Sequence, residues 1–210
     1  MKPILAIDLE GALLKSRPFD RAHKAWFKIF SALLKDENIN KFADKKDYYK
    51  HVQDVMKKYL GRVPEKTQNY YARTLYSMCL VAEIKEEDII FEFARLLSKI
   101  KDKYTLALIT TAPEPSVNGM LEKFPLLKFF DIVFASPIER EPNKKILFEE
   151  FMEKYEKPLY YIGDGDKTME TCKVLNIKTI AVKWIRKSNF KGDFSINTVD
   201  ELNEILNQNS

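Results

Sequence analysis

Four consecutive apolar residues, Ile4, Leu5, Ala6 and Ile7, run into Asp8, with Glu10 and Gly11 just beyond, and this junction constrains the fold more than any other stretch. The block is too short for a stable helix and suits a strand covered on both faces, as in a parallel sheet. Ligands collect outside the carboxyl ends of such strands. Asp8 therefore stands where chemistry is expected, with a second acid two residues on.

No further strand signal follows until residue 104. From Pro18, the residues Phe19, Ala22, Trp26, Phe27, Phe30, Leu33 and Leu34 recur at the spacing of an amphipathic helix, and proline is acceptable in a first turn. A second stripe runs through Tyr48, Val52, Val55, Met56 and Tyr59, with Gly61 where a C-terminal cap is expected. Pro64 opens a third, through Tyr71, Leu75, Met78, Cys79 and Ala82. A helix through Ile90, Phe93, Leu97 and Ile100 then leads into a strand over residues 104–109, ending in Thr110 and Thr111. Strands over 130–135, 159–162 and 179–182 follow, alternating with helices over 143–155 and 166–175, and a helix over 199–206 closes the chain. This alternation predicts an α/β fold, a Rossmann-like parallel sheet with helices on both faces. Residues 1–15 and 86–210 would form that core, and residues 16–85 an inserted all-helical subdomain.

Charged residues make up 31% of the chain, yet the net charge is only +4, so no basic stripe for a nucleic acid is expected. No uncharged apolar run reaches the roughly 18 residues of a membrane span, and Asp8 interrupts the start before a signal-peptide core develops. A soluble, cytoplasmic protein with no membrane partner is the expectation. Cys79 and Cys172 lack a metal-type spacing and are expected to be reduced, buried thiols. The sequence does not indicate an oligomeric state.

The order D-x-E-G at Asp8, Glu10 and Gly11, the strand-end Thr110, and the run Gly163-Asp164-Gly165-Asp166 after a strand resemble, in sequence order, the motifs of the haloacid dehalogenase superfamily. An all-helical insertion after the first motif is similar to the layout of the smaller-cap members, whose cap closes over the active site. The hinges would lie near residues 14–17 and 83–87. The resemblance implies a Mg2+-dependent phosphatase acting on a small phosphorylated metabolite through an aspartyl-phosphate. Asp8 would be nucleophile and metal ligand, Glu10 the proton donor and acceptor and also a metal ligand, and Asp164 a further Mg2+ ligand. Thr110 would bind the phosphoryl group through its hydroxyl, and Thr111 through a backbone N–H. The family's lysine is ambiguous here, because Glu141 and Pro142 fill its usual pattern; Lys144 is favoured over Lys145 and Arg140.

Three departures from the family pattern support a rival reading, a catalytically impaired binding or regulatory protein: Ala12 replaces the usual Thr, Thr168 replaces a second metal-binding acid, and the lysine is displaced. Asp166 could compensate for Thr168. Dehalogenation by Asp8 is a third reading, against which Glu10 and Asp164 count, since carbon–halogen displacement has no use for an acidic cluster. The insertion could also serve stability or dimerisation. His23 and His51 are expected at satisfied or surface positions; Arg62, Arg73 and Tyr70 are candidates for substrate contact.

Overall fold

A computed structural model of the chain describes residues 2–45, 47–185 and 192–208. Its centre is the first apolar block: β1 (Ile4–Ile7) is buried along its whole length. The sheet orders as β3 (Ile132–Ser136), β2 (Thr105–Pro113), β1, β4 (Tyr160–Gly163), β5 (Thr179–Val182) and β6 (Phe194–Ile196), and all five pairings are parallel. Strands β2 and β3 lie on one side of β1 and β4 to β6 on the other. The chain therefore reverses its direction of growth beside β1, and at that switch point the loops separate to leave a crevice.

Alternation along each strand splits the core in two. Leu5 and Ile7, with Leu106, Leu108, Tyr160 and Ile162, pack against α4 (Phe91–Ile100), α5 (Glu114–Lys123) and α8 (Val199–Gln208). Ile4 and Ala6, with Ala107, Ile109 and Tyr161, pack against α6 (Lys144–Lys154) and α7 (Asp166–Val174). Helices thus cover both faces, as the alternation of elements required.

Between β1 and β2 the chain forms α1 (Arg17–Leu34), α2 (Tyr48–Leu60) and α3 (Glu65–Glu83), with a short 3-10 segment at Glu37–Phe42. These helices have an apolar centre of their own, in which Trp26, Phe27, Val52, Val55, Met56 and Ala72 are buried together. The first turns of α1 and the last turns of α3 instead join the sheet-side core through Phe19, Ala22, Cys79 and Leu80. The two strands of chain that connect the block to the sheet run side by side: Lys15 N–H donates to the Asp88 carbonyl and Ile90 N–H to that of Leu13. Arg21 ties them further, its Nε 2.9 Å from Glu83 Oε2 and its Nη2 2.8 Å from Asp88 Oδ2.

Four features depart from the sequence reading. Helix α5 was not expected, because Glu114-Pro115-Ser116 reads as loop and only Val117 and Met120 anchor its buried side; Pro115 sits in the first turn, where its missing N–H costs nothing. The edge strand β6 and the Glu37–Phe42 segment are too short to show periodicity. Gly61 follows α2 at φ −61°, so it is no left-handed cap; a Cβ there would lie 2.5 Å from the Lys57 carbonyl oxygen, and the need is for space. Both cysteines are free and buried. Among the described residues, no helix is long and apolar enough to cross a membrane.

Trp26 is buried against Phe27 and Phe30, and its Nε1–H donates to the Ala72 carbonyl at 2.9 Å, joining α1 to α3. Trp26→Ala should destabilise the protein by about 3–5 kcal/mol, read as a lowered midpoint in urea unfolding.

Candidate active site

The register of the sheet brings the candidate residues together. Ile7 is level with Leu108 on β2 and Ile162 on β4, so Thr110 and Asp164 flank the residue after Asp8, one on each neighbouring strand. Asp8 points to the same face as Ala6, the side covered by α6. Lys144, the first residue of α6, reaches over the sheet edge: its Nζ lies 3.0 Å from Asp8 Oδ1 and 2.6 Å from the Ile109 carbonyl oxygen. The pair is largely shielded from water, with side-chain exposures of 11% and 15%. Leu9 N–H also donates to Asp8 Oδ1, at 2.9 Å. Of the three basic candidates, Lys144 is the one at Asp8; Arg140 is paired with Glu150 and Lys145 with Glu149.

The second oxygen of Asp8 is held by a residue the sequence reading passed over. The Tyr161 hydroxyl donates to Asp8 Oδ2. Tyr161 is fully buried, and burial followed by the neighbouring Asp8 charge pushes its phenol well above its ordinary range, so the hydroxyl keeps its proton as a donor. The signal was present in the strand period: two residues before Gly163, which is level with Asp8, Tyr161 must share the face of Asp8. Gly163 makes room for it, since a Cβ there would lie 2.8 Å from the Tyr161 hydroxyl.

A cavity of about 300 Å3 opens above these groups. Asp8, Glu10, Thr110, Thr111, Asp164 and Thr168 line it from the sheet side, and His23, Trp26, Tyr49, Arg73 and Tyr76 from the helical block. Asp166 opens α7 in an exposed position outside this lining, so it does not stand in for the acid that Thr168 replaces. Of Arg62, Arg73 and Tyr70, only Arg73 lines the cavity; the other two are exposed. Glu10 is within electrostatic reach of the partly buried Tyr76 phenol.

The donor set is all oxygen and acidic, which suits a hard cation that keeps some water and borrows phosphate oxygens. Among the described residues no three His, Cys, Asp or Glu side chains form a group able to hold an ion by themselves, so Asp8, Glu10 and Asp164 share the cavity without converging as a trio. A specific cradle exists nevertheless. Gly11 has φ +79°, and a Cβ on it would fall 2.0–2.1 Å from the Asp164 carboxyl atoms. The backbone after β1 is thus folded against the Asp164 carboxylate just beyond β4, which leaves no room for a side chain at residue 11 and keeps the two strand ends close.

His23 is half-buried and held in place: its ring stacks on Tyr48 with centroids 3.2 Å apart, and its Nδ1 lies 2.6 Å from the Phe19 carbonyl oxygen. His51 stacks on Phe42 outside the cavity.

Gly11→Ala should lower stability and displace Asp164, because both φ and the carboxylate oppose a side chain; thermal melting checks the first effect and a crystal structure of the variant the second. Burial brings the His23 pKa down to about 3, partly opposed by the Phe19 carbonyl. The unfolded chain therefore binds the extra proton first, and the stabilisation from neutral His23 is complete above the unfolded value and is lost as pH falls. From about pH 6.5 to pH 5 unfolding experiments should show stability dropping by up to ~1.4 kcal/mol per pH unit from this group, a slope that His23→Phe removes.

Residues 8–182 match the family described as haloacid dehalogenase-like hydrolase. Among solved structures, a protein described as a predicted phosphatase from Clostridium acetobutylicum is 20% identical, with TM-score 0.71 and 99% of each chain covered. A haloacid dehalogenase-like family hydrolase from Streptococcus pneumoniae is 17% identical, with TM-score 0.66 and 98% of each chain covered. The hydrolase YfnB from Bacillus subtilis, described as bound to magnesium, is 16% identical, with TM-score 0.63 over 98% of this chain and 99% of the other. At these identities the likeness is one of fold. None of the curated proteins matches. The family match spans most of the chain, from the acid that ends β1 to the last residue of β5, and on it the chain belongs to the haloacid dehalogenase-like hydrolases.

Proposed function

We propose that the protein is a Mg2+-dependent phosphatase that hydrolyses a small phosphorylated metabolite through an aspartyl-phosphate. The observation that carries this reading is the set of groups around Asp8: a carboxylate whose oxygens are aimed by Lys144, Tyr161 and the Leu9 N–H, beside a second carboxylate and Thr110 of β2 on one small cavity.

In this reading one Asp8 oxygen attacks phosphorus while the bond to the leaving oxygen breaks, and Glu10 gives its proton to that oxygen. Glu10, now a carboxylate, takes a proton from water, whose oxygen then attacks the phosphoryl group. The acyl phosphate bond breaks, and Asp8 and inorganic phosphate are released. Lys144 offsets the negative charge of Asp8 and phosphate brought close together, and the Thr110 hydroxyl donates to a phosphoryl oxygen. Asp8 and Asp164 would hold Mg2+, which when bound neutralises phosphate charge and orients it. Glu10, the third expected ligand, serves better in proton transfer, since the three carboxylates do not converge. The helices over 16–85 act as a cap whose side chains complete the cavity and exclude water, with residues 14–17 and 83–87 as the paired hinges.

Purified protein should hydrolyse p-nitrophenyl phosphate with Mg2+ and lose this activity with EDTA. Asp8→Asn should lower turnover by at least about a thousandfold while the thermal melt stays cooperative, because removal of a nucleophile disables the whole covalent route. Unchanged turnover by that variant would exclude Asp8 as nucleophile. Absence of turnover in the unaltered protein, with phosphate bound regardless of Mg2+, would favour the rival reading of a phosphate-binding protein, towards which Thr168 points.

A further inference from the structure

One cation in the cavity has no ion-pair partner among the described residues. Arg73, on α3, is 5% exposed, and the only hydrogen bond of its guanidinium among the described residues runs from Nη2 to the Thr111 carbonyl oxygen at 3.2 Å. Its Nε–H is buried and has no hydrogen-bond partner among the described residues. No carboxylate lies within 4.0 Å of it among the described residues, although the other arginines brought into ion pairs, Arg21 and Arg140, have theirs at 2.9 Å or closer. What surrounds the guanidinium is phenolic: Tyr49 and Tyr76 are its electrostatic neighbours, and both are driven to the neutral form by burial.

Such a placement is expensive. A buried guanidinium without an anion loses hydration and recovers little, so a structural role would be met as well by an apolar side chain. Folding therefore sets aside, at a cost in stability, a planar fork of donors that matches a carboxylate or a phosphate. In the proposed reading the scissile phosphoryl group already has its own partners. That group is met at Asp8, Thr110 and Lys144 on the sheet side, whereas Arg73 enters from the helical side. Asp8, Glu10 and Asp164 line the cavity from the sheet side and Arg73 from the helical side, so the cavity is polarised, acidic at its floor and cationic on one wall.

We infer that Arg73 is a specificity-determining residue that receives a second anionic group of the substrate, so that the preferred substrate is a small phosphate monoester carrying a carboxylate or a second phosphate. This deepens the phosphatase reading and rests on it for the position of the first phosphate. The cavity volume, about 300 Å3, is at the lower end for ligand sites and suits a small substrate.

The test uses phosphonates, which bind without being hydrolysed. At fixed free Mg2+, calorimetry would compare methylphosphonate with phosphonoacetate, 3-phosphonopropionate and methylenediphosphonate. At least one of the three doubly anionic probes should bind about 30-fold or more tightly than methylphosphonate, the size of effect a buried charge pair gives. Which one does so tells carboxylate from phosphate recognition. In Arg73→Met that ratio should fall to near one, and in Arg73→Lys to an intermediate value. Arg73→Met should also melt no lower than the unaltered protein in the absence of ligand, since an unpaired buried charge has been removed; a clear loss of melting temperature would assign Arg73 a structural role. Equal binding of all four phosphonates, or a ratio that survives Arg73→Met, overturns the inference. If p-nitrophenyl phosphate is still turned over in that event, the phosphatase reading stands without it; if no ester is turned over, the phosphatase reading fails separately.

Discussion

Everything at the site depends on holding one carboxylate still. Asp8 has three donors in the structure, Lys144 and the Leu9 N–H on one oxygen and the Tyr161 hydroxyl on the other. Each donor comes from a different part of the fold: the start of α6, the turn after β1, and the middle of β4. A charge this shielded is costly unless it is paired and hydrogen-bonded, so correct folding of the sheet, its crossover helix and its first turn is a condition of having the site at all. Tyr161 adds a rigid donor from within the core, packed at its edge against Phe148, so its hydroxyl moves only if the sheet does.

The helical block is built to a different rule. Its upper part has its own apolar centre around Trp26, while its two ends are embedded in the sheet-side core and zipped to each other by backbone hydrogen bonds. An element anchored so at both ends can present side chains over the crevice without a separate interface to hold it there. Its aromatic side chains also make the cavity wall apolar around one buried cation, which strengthens any electrostatic contact made inside. On the proposed reading, chemistry is the work of the sheet and discrimination that of the helices.

Much of this was legible in residue order. The buried strand ending in Asp8, the three helical stripes and the later alternation each follow from local periodicity, and they lead to a parallel sheet with an all-helical insertion. Asp8 and Asp164 were legible because strand ends are marked by the change from apolar to polar residues, and Thr110 by the same change, although β2 runs on to Pro113. Elements with few anchoring residues were not: α5 buries only a narrow side, and β6 has three residues.

The sequence by itself determined which residues end the central strands and that helices must cover them, because hydrophobic period is a local property of the chain. Tertiary structure decided the rest. The choice of Lys144 over Arg140 and Lys145 depends on where the first turn of α6 lands above β1. The exclusion of Asp166 depends on the direction in which α7 leaves β4, and the partnership of Tyr161 with Asp8 on the register between their strands. Arg73 could be separated from Arg62 only once α3 was packed, since burial without a counter-ion is a property of the surroundings and leaves no mark on the order of residues.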